Sequence, residues 1–145
     1  METILIIEDD AAMLRGLKDN FEYEGYIVKT ATDGERGLDA VFKIKPDLLI
    51  LEDFAGKHLP QRSGEYLLEV VMRRYEKRSI LVTSNRPVED WGKLFHDVPV
   101  ATAILDRLLH HCHIVPFAGR SHRWPGAAAL LNPKADSAAP RETSR

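Results

Sequence analysis

A chain of 145 residues with 44% hydrophobic and 29% charged side chains has the make-up of a soluble protein with one folded domain and a buried core. Its net charge of −2 argues against a surface that coats nucleic acid, while leaving room for a local basic patch. The single cysteine, Cys112, excludes an internal disulfide; no apolar run reaches the length of a membrane span, and the first residues lack the basic-then-apolar order of a signal peptide, so a cytoplasmic protein is expected.

In chain order, Thr3 to Ile7 is a β-branched and apolar run that reads as a buried strand and ends in Glu8-Asp9-Asp10. Ala11 to Tyr23 carries Met13, Leu14, Leu17 and Phe21 at helical spacing, and Gly25 closes that helix. Tyr26 to Ala31 alternates as a short strand, Asp33-Gly34 turns, and Glu35 to Ile44 is a helix with Leu38, Val41 and Phe42 inward. A third strand, Leu48 to Leu51, follows Pro46. Lys57 to Arg62 is a polar loop, and Gly64 to Lys77 is an amphipathic helix with Leu67, Leu68, Val71 and Met72 on one face. Its basic close, Arg73-Arg74 with Lys77-Arg78, reads first as a solvated helix end and second as a nucleic-acid contact. Ser79 to Val82 is a fourth strand running into Thr83-Ser84-Asn85, Pro87 starts a helix through Phe95 with Trp91 and Leu94 packed, Val100 to Leu109 is a helix, and His113 to Phe117 is a fifth strand. Residues 1–124 thus form one domain, and residues 125–145, rich in Ala, Ser, Pro and charge, a disordered tail.

This βαβ alternation with short connections implies an α/β fold: a doubly wound, parallel, five-stranded sheet with helices on both faces. In such sheets ligands gather beyond the carboxyl ends of the strands, where this chain places two acidic pairs. If the first and third strands are neighbours, Glu8, Asp9, Glu52 and Asp53 converge on an oxygen-rich site suited to Mg²⁺, held weakly because four acids repel one another. Thr83 and Ser84 reach the same crevice.

Two families are visible in these motifs. Residues 1 to about 51 resemble a response-regulator receiver domain, through Ile4-Leu5-Ile6-Ile7-Glu8-Asp9-Asp10, the Leu14 to Gly25 helix, Thr30-Ala31-Thr32-Asp33-Gly34 and Lys45-Pro46-Asp47-Leu48. That resemblance implies a Mg²⁺-holding acidic pair at Glu8 and Asp9 and a phosphoacceptor position at Glu52. Glutamate there departs from the family's aspartate, and its additional methylene misplaces the carboxylate for phosphotransfer; a fixed negative charge imitates the phosphorylated state instead. From about residue 46 to 124 the chain resembles IstB-type transposition helper ATPases of the AAA+ class. The motifs are Leu48 to Phe54, the Leu67 to Arg78 helix, Val82-Thr83-Ser84-Asn85-Arg86-Pro87, Trp91 to Phe95, Ala103 to His110, and Gly119-Arg120-Ser121 through Trp124. By that resemblance Glu52 and Asp53 are Walker B acids, Asn85 is the polar sensor and Arg107 is the arginine that reaches a neighbour's nucleotide. Transposase or DNA is the partner implied by this half, 47–124, and a signalling partner by the receiver-like half, 1–46.

Each half lacks its counterpart's chemistry. No G-x-x-x-x-G-K-[ST] occurs in the 145 residues, so the β- and γ-phosphates of ATP miss their backbone cradle and lysine, and no hydrolysis by this chain alone is expected. Where a receiver closes its site with a lysine before Pro-Phe, Val115 precedes Pro116-Phe117. A truncated or chimeric gene product is implied, with the receiver strand order 2-1-3-4-5 favoured because its first three strands are intact and local. Two bland expectations complete the picture. A surface ion pair with Asp106 serves for Arg107. In His110-His111-Cys112-His113 only His110 and His113 have ligand spacing, so ordinary packing at a helix end outweighs zinc.

Overall fold

Runs of β-branched and aliphatic residues form four parallel strands, β1 (Thr3–Ile7), β2 (Ile27–Ala31), β3 (Leu48–Leu51) and β4 (Ser79–Val82), in the order β2-β1-β3-β4. This is the receiver order as far as the strands go. The structure, a computed structural model, describes residues 1–54, 62–95 and 97–118. Most of the expected Lys57–Arg62 loop, the Gly119 to Trp124 motif and the tail expected over 125–145 lie outside the described residues.

β1 and β3 are buried along nearly their whole length, successive side chains alternate between the two faces of the sheet, and each face has its own core. Leu5, Ile7, Leu49 and Leu51 pack with Leu38 and Val41 of α2 (Gly34–Ile44), Leu67, Val70 and Val71 of α3 (Ser63–Arg74), and Ala101 and Ile104 of α4 (Val98–His110). On the other face Ile4, Ile6, Val28 and Ile50 meet Leu14, Leu17 and Phe21 of α1 (Ala11–Tyr23). The sheet is therefore doubly wound, with one α-helix on one side and three on the other among the described residues.

Short polar side chains start the helices. Asp10 accepts the Met13 N–H at 2.8 Å, Asp33 that of Arg36 at 2.7 Å and Asp97 that of Val100 at 3.0 Å, each satisfying a donor the helix cannot. Lys45, at φ 52°, ends α2 in the left-handed conformation. Gly37 of α2 is required by close approach, since a Cβ there would stand 2.4 Å from Ile7 Cδ1.

Several sequence expectations need correction. The fifth strand at His113 to Phe117 does not form: residues 113–118 have no regular secondary structure, Ile114 and Phe117 are exposed, and Pro116 removes a ladder donor in the middle of the run. The sheet therefore has four strands among the described residues. The chain divides into two units, Met1–Cys112 and His113–Arg145, and the first contains every described helix and strand. On α3, Met72 is 48% exposed and the buried stripe is Leu67, Val70, Val71 and Arg74, one step round the helix from the expected face. The helix expected from Pro87 to Phe95 is a 3-10 turn over Val88–Lys93, with Trp91 buried as expected.

Candidate functional site

The ladder that joins the strands continues one residue beyond them and fixes the acids. Ile7 pairs with Leu51, and Leu51 with Val82, so Glu8, Glu52 and Thr83 follow on three successive strands. The Glu8 N–H donates to the Ala31 carbonyl at 3.1 Å and the Glu52 N–H to the Ile7 carbonyl at 3.1 Å. Glu8 is buried, and one of its carboxylate oxygens accepts the Asp10 N–H at 2.7 Å. Asp9 is exposed beside it.

Thr83 organises the other half. Its hydroxyl donates to Glu52 Oε2 at 2.6 Å and accepts the Asp53 N–H at 2.9 Å, and its carbonyl accepts the Phe54 N–H at 2.8 Å. Three consecutive residues after β3 are thus pinned to one residue after β4. Asp53 sits at φ 50°, a left-handed conformation that a short polar side chain tolerates, and the chain leaves the sheet axis there. Phe54 then packs edge-on to Trp91 at 5.1 Å between ring centroids, closing the turn with an apolar contact.

The strand order brings the two acidic pairs to adjacent strand ends, as expected. They do not close into a four-ligand cage. Among the described residues no three of Glu8, Asp9, Glu52 and Asp53 bring carboxylate oxygens within 4.8 Å of one another. Carboxylate oxygens are the donors Mg²⁺ prefers, and Mg²⁺ is commonly held by one or two carboxylates with retained waters, so the arrangement fits a weakly held ion.

The remaining site residues divide between the two ends of the sheet. Asn85 is exposed at the carboxyl end, two residues beyond Thr83, where Ser84 Oγ accepts the Arg86 N–H at 3.1 Å. Arg107 lies at the amino end, in the last turn of α4. Its guanidinium stands 5.0 Å from the Tyr75 ring centroid and 3.5 Å from Asp106, so the surface ion pair expected for it is present. Within one chain Arg107 is remote from Glu52.

The residue that sequence reasoning missed is Arg74. Only 3% exposed, it donates to the carbonyls of Pro46 at 2.8 Å, Asp47 at 3.0 Å and Ser79 at 2.7 Å, tying the amino ends of β3 and β4 to α3. Burial pushes its guanidinium down to about 10, with the charge of Arg78 adding to the effect and that of Asp47 opposing it. Arg78 also donates to the Lys45 and Pro46 carbonyls and stands 3.5 Å from Asp47. Arg73, Lys77 and Arg78 are exposed, as expected of a solvated helix end, and Arg74 alone departs from that reading by turning inward. The available signal was positional: residue 74 continues the 67, 70, 71 stripe, and a charge on the apolar face of a helix is informative.

Residues 26–127 match the family model described as IstB-like ATP binding protein. The family match begins at residue 26, about twenty residues before the point where the sequence places the change of resemblance. A protein named as the ATP-binding protein of insertion sequence IS5376, from Geobacillus stearothermophilus, is 42% identical over 80 residues, which are 55% of this chain and 32% of the relative. The corresponding protein of IS21 from Pseudomonas aeruginosa is 42% identical over 76 residues, 52% of this chain and 29% of the relative. The chain thus spans about a third of the length of the curated relatives it matches. Among solved structures it is similar to the chemotaxis protein CheY4 of Vibrio cholerae, with 25% identity, a TM-score of 0.50 and coverage of 64% of this chain and 78% of the other. A CheY-like receiver domain protein from Methanospirillum hungatei gives 28% identity and a TM-score of 0.50 over 62% of this chain and 70% of the other. The fold is receiver-like, and the family match, which spans well over half of the sequence and takes in Glu52, Asp53, Asn85 and Arg107, shows that the chain belongs to the IstB-like ATP binding proteins.

Proposed function

We propose that this chain is an IstB-type insertion-sequence helper whose acidic strand ends make a Mg²⁺-linked contact, and which does not hydrolyse ATP by itself. The observation that carries the reading is the Thr83 hydroxyl held 2.6 Å from Glu52 Oε2, which fixes the Walker B-like carboxylate at the end of β3. Glu52 and Asp53 take the metal-facing role, with Asn85 beyond Thr83 as the sensor-like residue at the same end. Hydrolysis needs a phosphate cradle and a lysine that the 145 residues do not contain.

The partner is a protein such as the transposase rather than DNA at the α3 end. Arg74 and Arg78 donate to backbone carbonyls and Arg73 pairs with Glu69 at 2.6 Å, so three of the four cations of that cluster already have protein partners. A fluorescent ATP analogue tests the reading. Weak, Mg²⁺-dependent binding that falls in Glu52→Gln, with no phosphate release, is expected. Sustained phosphate release by the purified chain would refute it.

One observation favours a second reading, a receiver-like module with a permanent charge at Glu52: β1 lies beside β3, so Glu8 and Asp9 flank Glu52 as a receiver's acids flank its phosphoacceptor. Beryllofluoride trapped at this end without affinity for the ATP analogue would transfer the assignment to that module and its signalling partner.

A further inference from the structure

The amino end of the sheet carries a group of side chains that neither functional reading uses. Tyr75 and Glu76 follow α3, and His110 and His111 close α4. The His111 Nε2 lies 3.1 Å from Glu76 Oε1, the Tyr75 hydroxyl hydrogen-bonds His110 Nδ1, and the two imidazole centroids are 4.1 Å apart. Among the described residues, Glu76, His110 and His111 are the one trio whose ligand atoms all lie within 4.8 Å of one another.

From this geometry we propose a site for a divalent transition metal, zinc being the best fit, held by Glu76, His110 and His111. Two imidazoles and a carboxylate form a three-ligand set that leaves a fourth position for water. Helical spacing favoured His110 with His113, because successive residues on a helix diverge. His111 escapes that rule: it caps α4 at φ −127° and ψ 31°, outside helical geometry, so its ring folds back beside its neighbour's. Glu76 reaches the pair because it is left-handed, at φ 55°, which turns the chain back immediately after α3. Two helix C-termini meet here, and their carbonyl ends favour a cation, whereas the Arg107 guanidinium over Tyr75 opposes one. Affinity therefore comes from inner-sphere ligation rather than from the net field. All three ligands are exposed, so small rotamer changes bring their donor atoms to zinc-ligand distances. The ion would pin the end of α3 to the end of α4, far from Glu52.

Calorimetric titration of the chelator-treated full chain with zinc sulfate tests the site. One zinc per chain is expected, with affinity reduced at least tenfold in Glu76→Ala and in His111→Ala, retained in the double variant Cys112→Ser/His113→Ala, and lost on acidification because ligating imidazoles must be neutral. Equal affinity in His110→Ala/His111→Ala, or no heat from the wild type, overturns the proposal. Cobalt substitution of the unmutated protein gives a readout independent of variant folding. Visible d–d bands without thiolate charge transfer support the site, and a thiolate band would move the metal to Cys112 and overturn it.

Discussion

The two ends of the parallel sheet carry opposite charge and put it to opposite use. At the carboxyl end, acids are presented on adjacent strand ends, with Thr83 setting the direction of Glu52. At the amino end, Arg74 and Arg78 are turned inward onto the carbonyls of Lys45, Pro46, Asp47 and Ser79. The first arrangement gathers carboxylates at adjacent strand ends; the second uses cations to hold backbone together. The second also lies on the join between the chain's two resemblances: α3 and β4, from the IstB-like half, grip the residues that lead into β3, while β3 pairs with β1 of the receiver-like half. The core beneath α2, α3 and α4 therefore draws on both halves.

Substitutions can break this contrast. The largest effect is expected from Arg74→Met, which removes three hydrogen bonds to backbone carbonyls in a buried setting, Pro46 keeping a second donor in Arg78. A loss of about 3 kcal/mol in urea unfolding is expected, with Arg74→Lys recovering less than half because an ammonium cannot span three acceptors. A loss below about 1 kcal/mol would mean that the amino end is not a clamp. Next comes Gly37→Ala, which drives a methyl into Ile7, the residue before Glu8. The gain in helix propensity offsets part of the overpacking, and a net loss of about 1 to 2 kcal/mol is expected in the same assay.

Thr83→Val removes the hydroxyl bond to Glu52 and the acceptor for the Asp53 N–H at nearly constant volume. Stability should fall by about 1 kcal/mol, and Mg²⁺ affinity, measured by calorimetry, several-fold. The smallest effect concerns the exposed pair Asp90–Lys93, 2.9 Å apart. The Lys93 hydrogen bond and charge hold the Asp90 carboxyl below the usual range. Its contribution is therefore present above the unfolded carboxylate pKa and is lost as pH falls through the folded one. Asp90→Asn should flatten the acid limb of the stability profile slightly while leaving neutral pH nearly unchanged.

Much of this fold is legible in the sequence because its strands are buried on both faces. Ile4 to Ile7 and Leu48 to Leu51 are continuous apolar runs, and each ends at the acids that mark the carboxyl edge. Asp10 and Asp33 stand where two helices begin, whereas the last helix starts at Val98, behind Asp97 and two residues before the expected Val100. What the sequence hides depends on long-range partners. An arginine in a basic run after an amphipathic helix looks solvated until the residues leading into β3 and the first residue of β4 offer three carbonyls to Arg74. His111 looks misaligned with His110 until the end of α4 unwinds toward Glu76. The expected fifth strand shows the converse: Ile114, Val115 and Phe117 have strand character, but local propensity does not provide a ladder partner, and Pro116 works against one.

The contrast between the two ends is tested most directly by titrating Mg²⁺ into the ¹⁵N-labelled chain and following its backbone amides. The account predicts saturable shifts at millimolar Mg²⁺ centred on Glu8, Asp9, Glu52 and Asp53, extending to Thr83, with the amides of Arg74 and Tyr75 unmoved. Shifts absent from the strand ends, or centred on the amino end of the sheet, would contradict it.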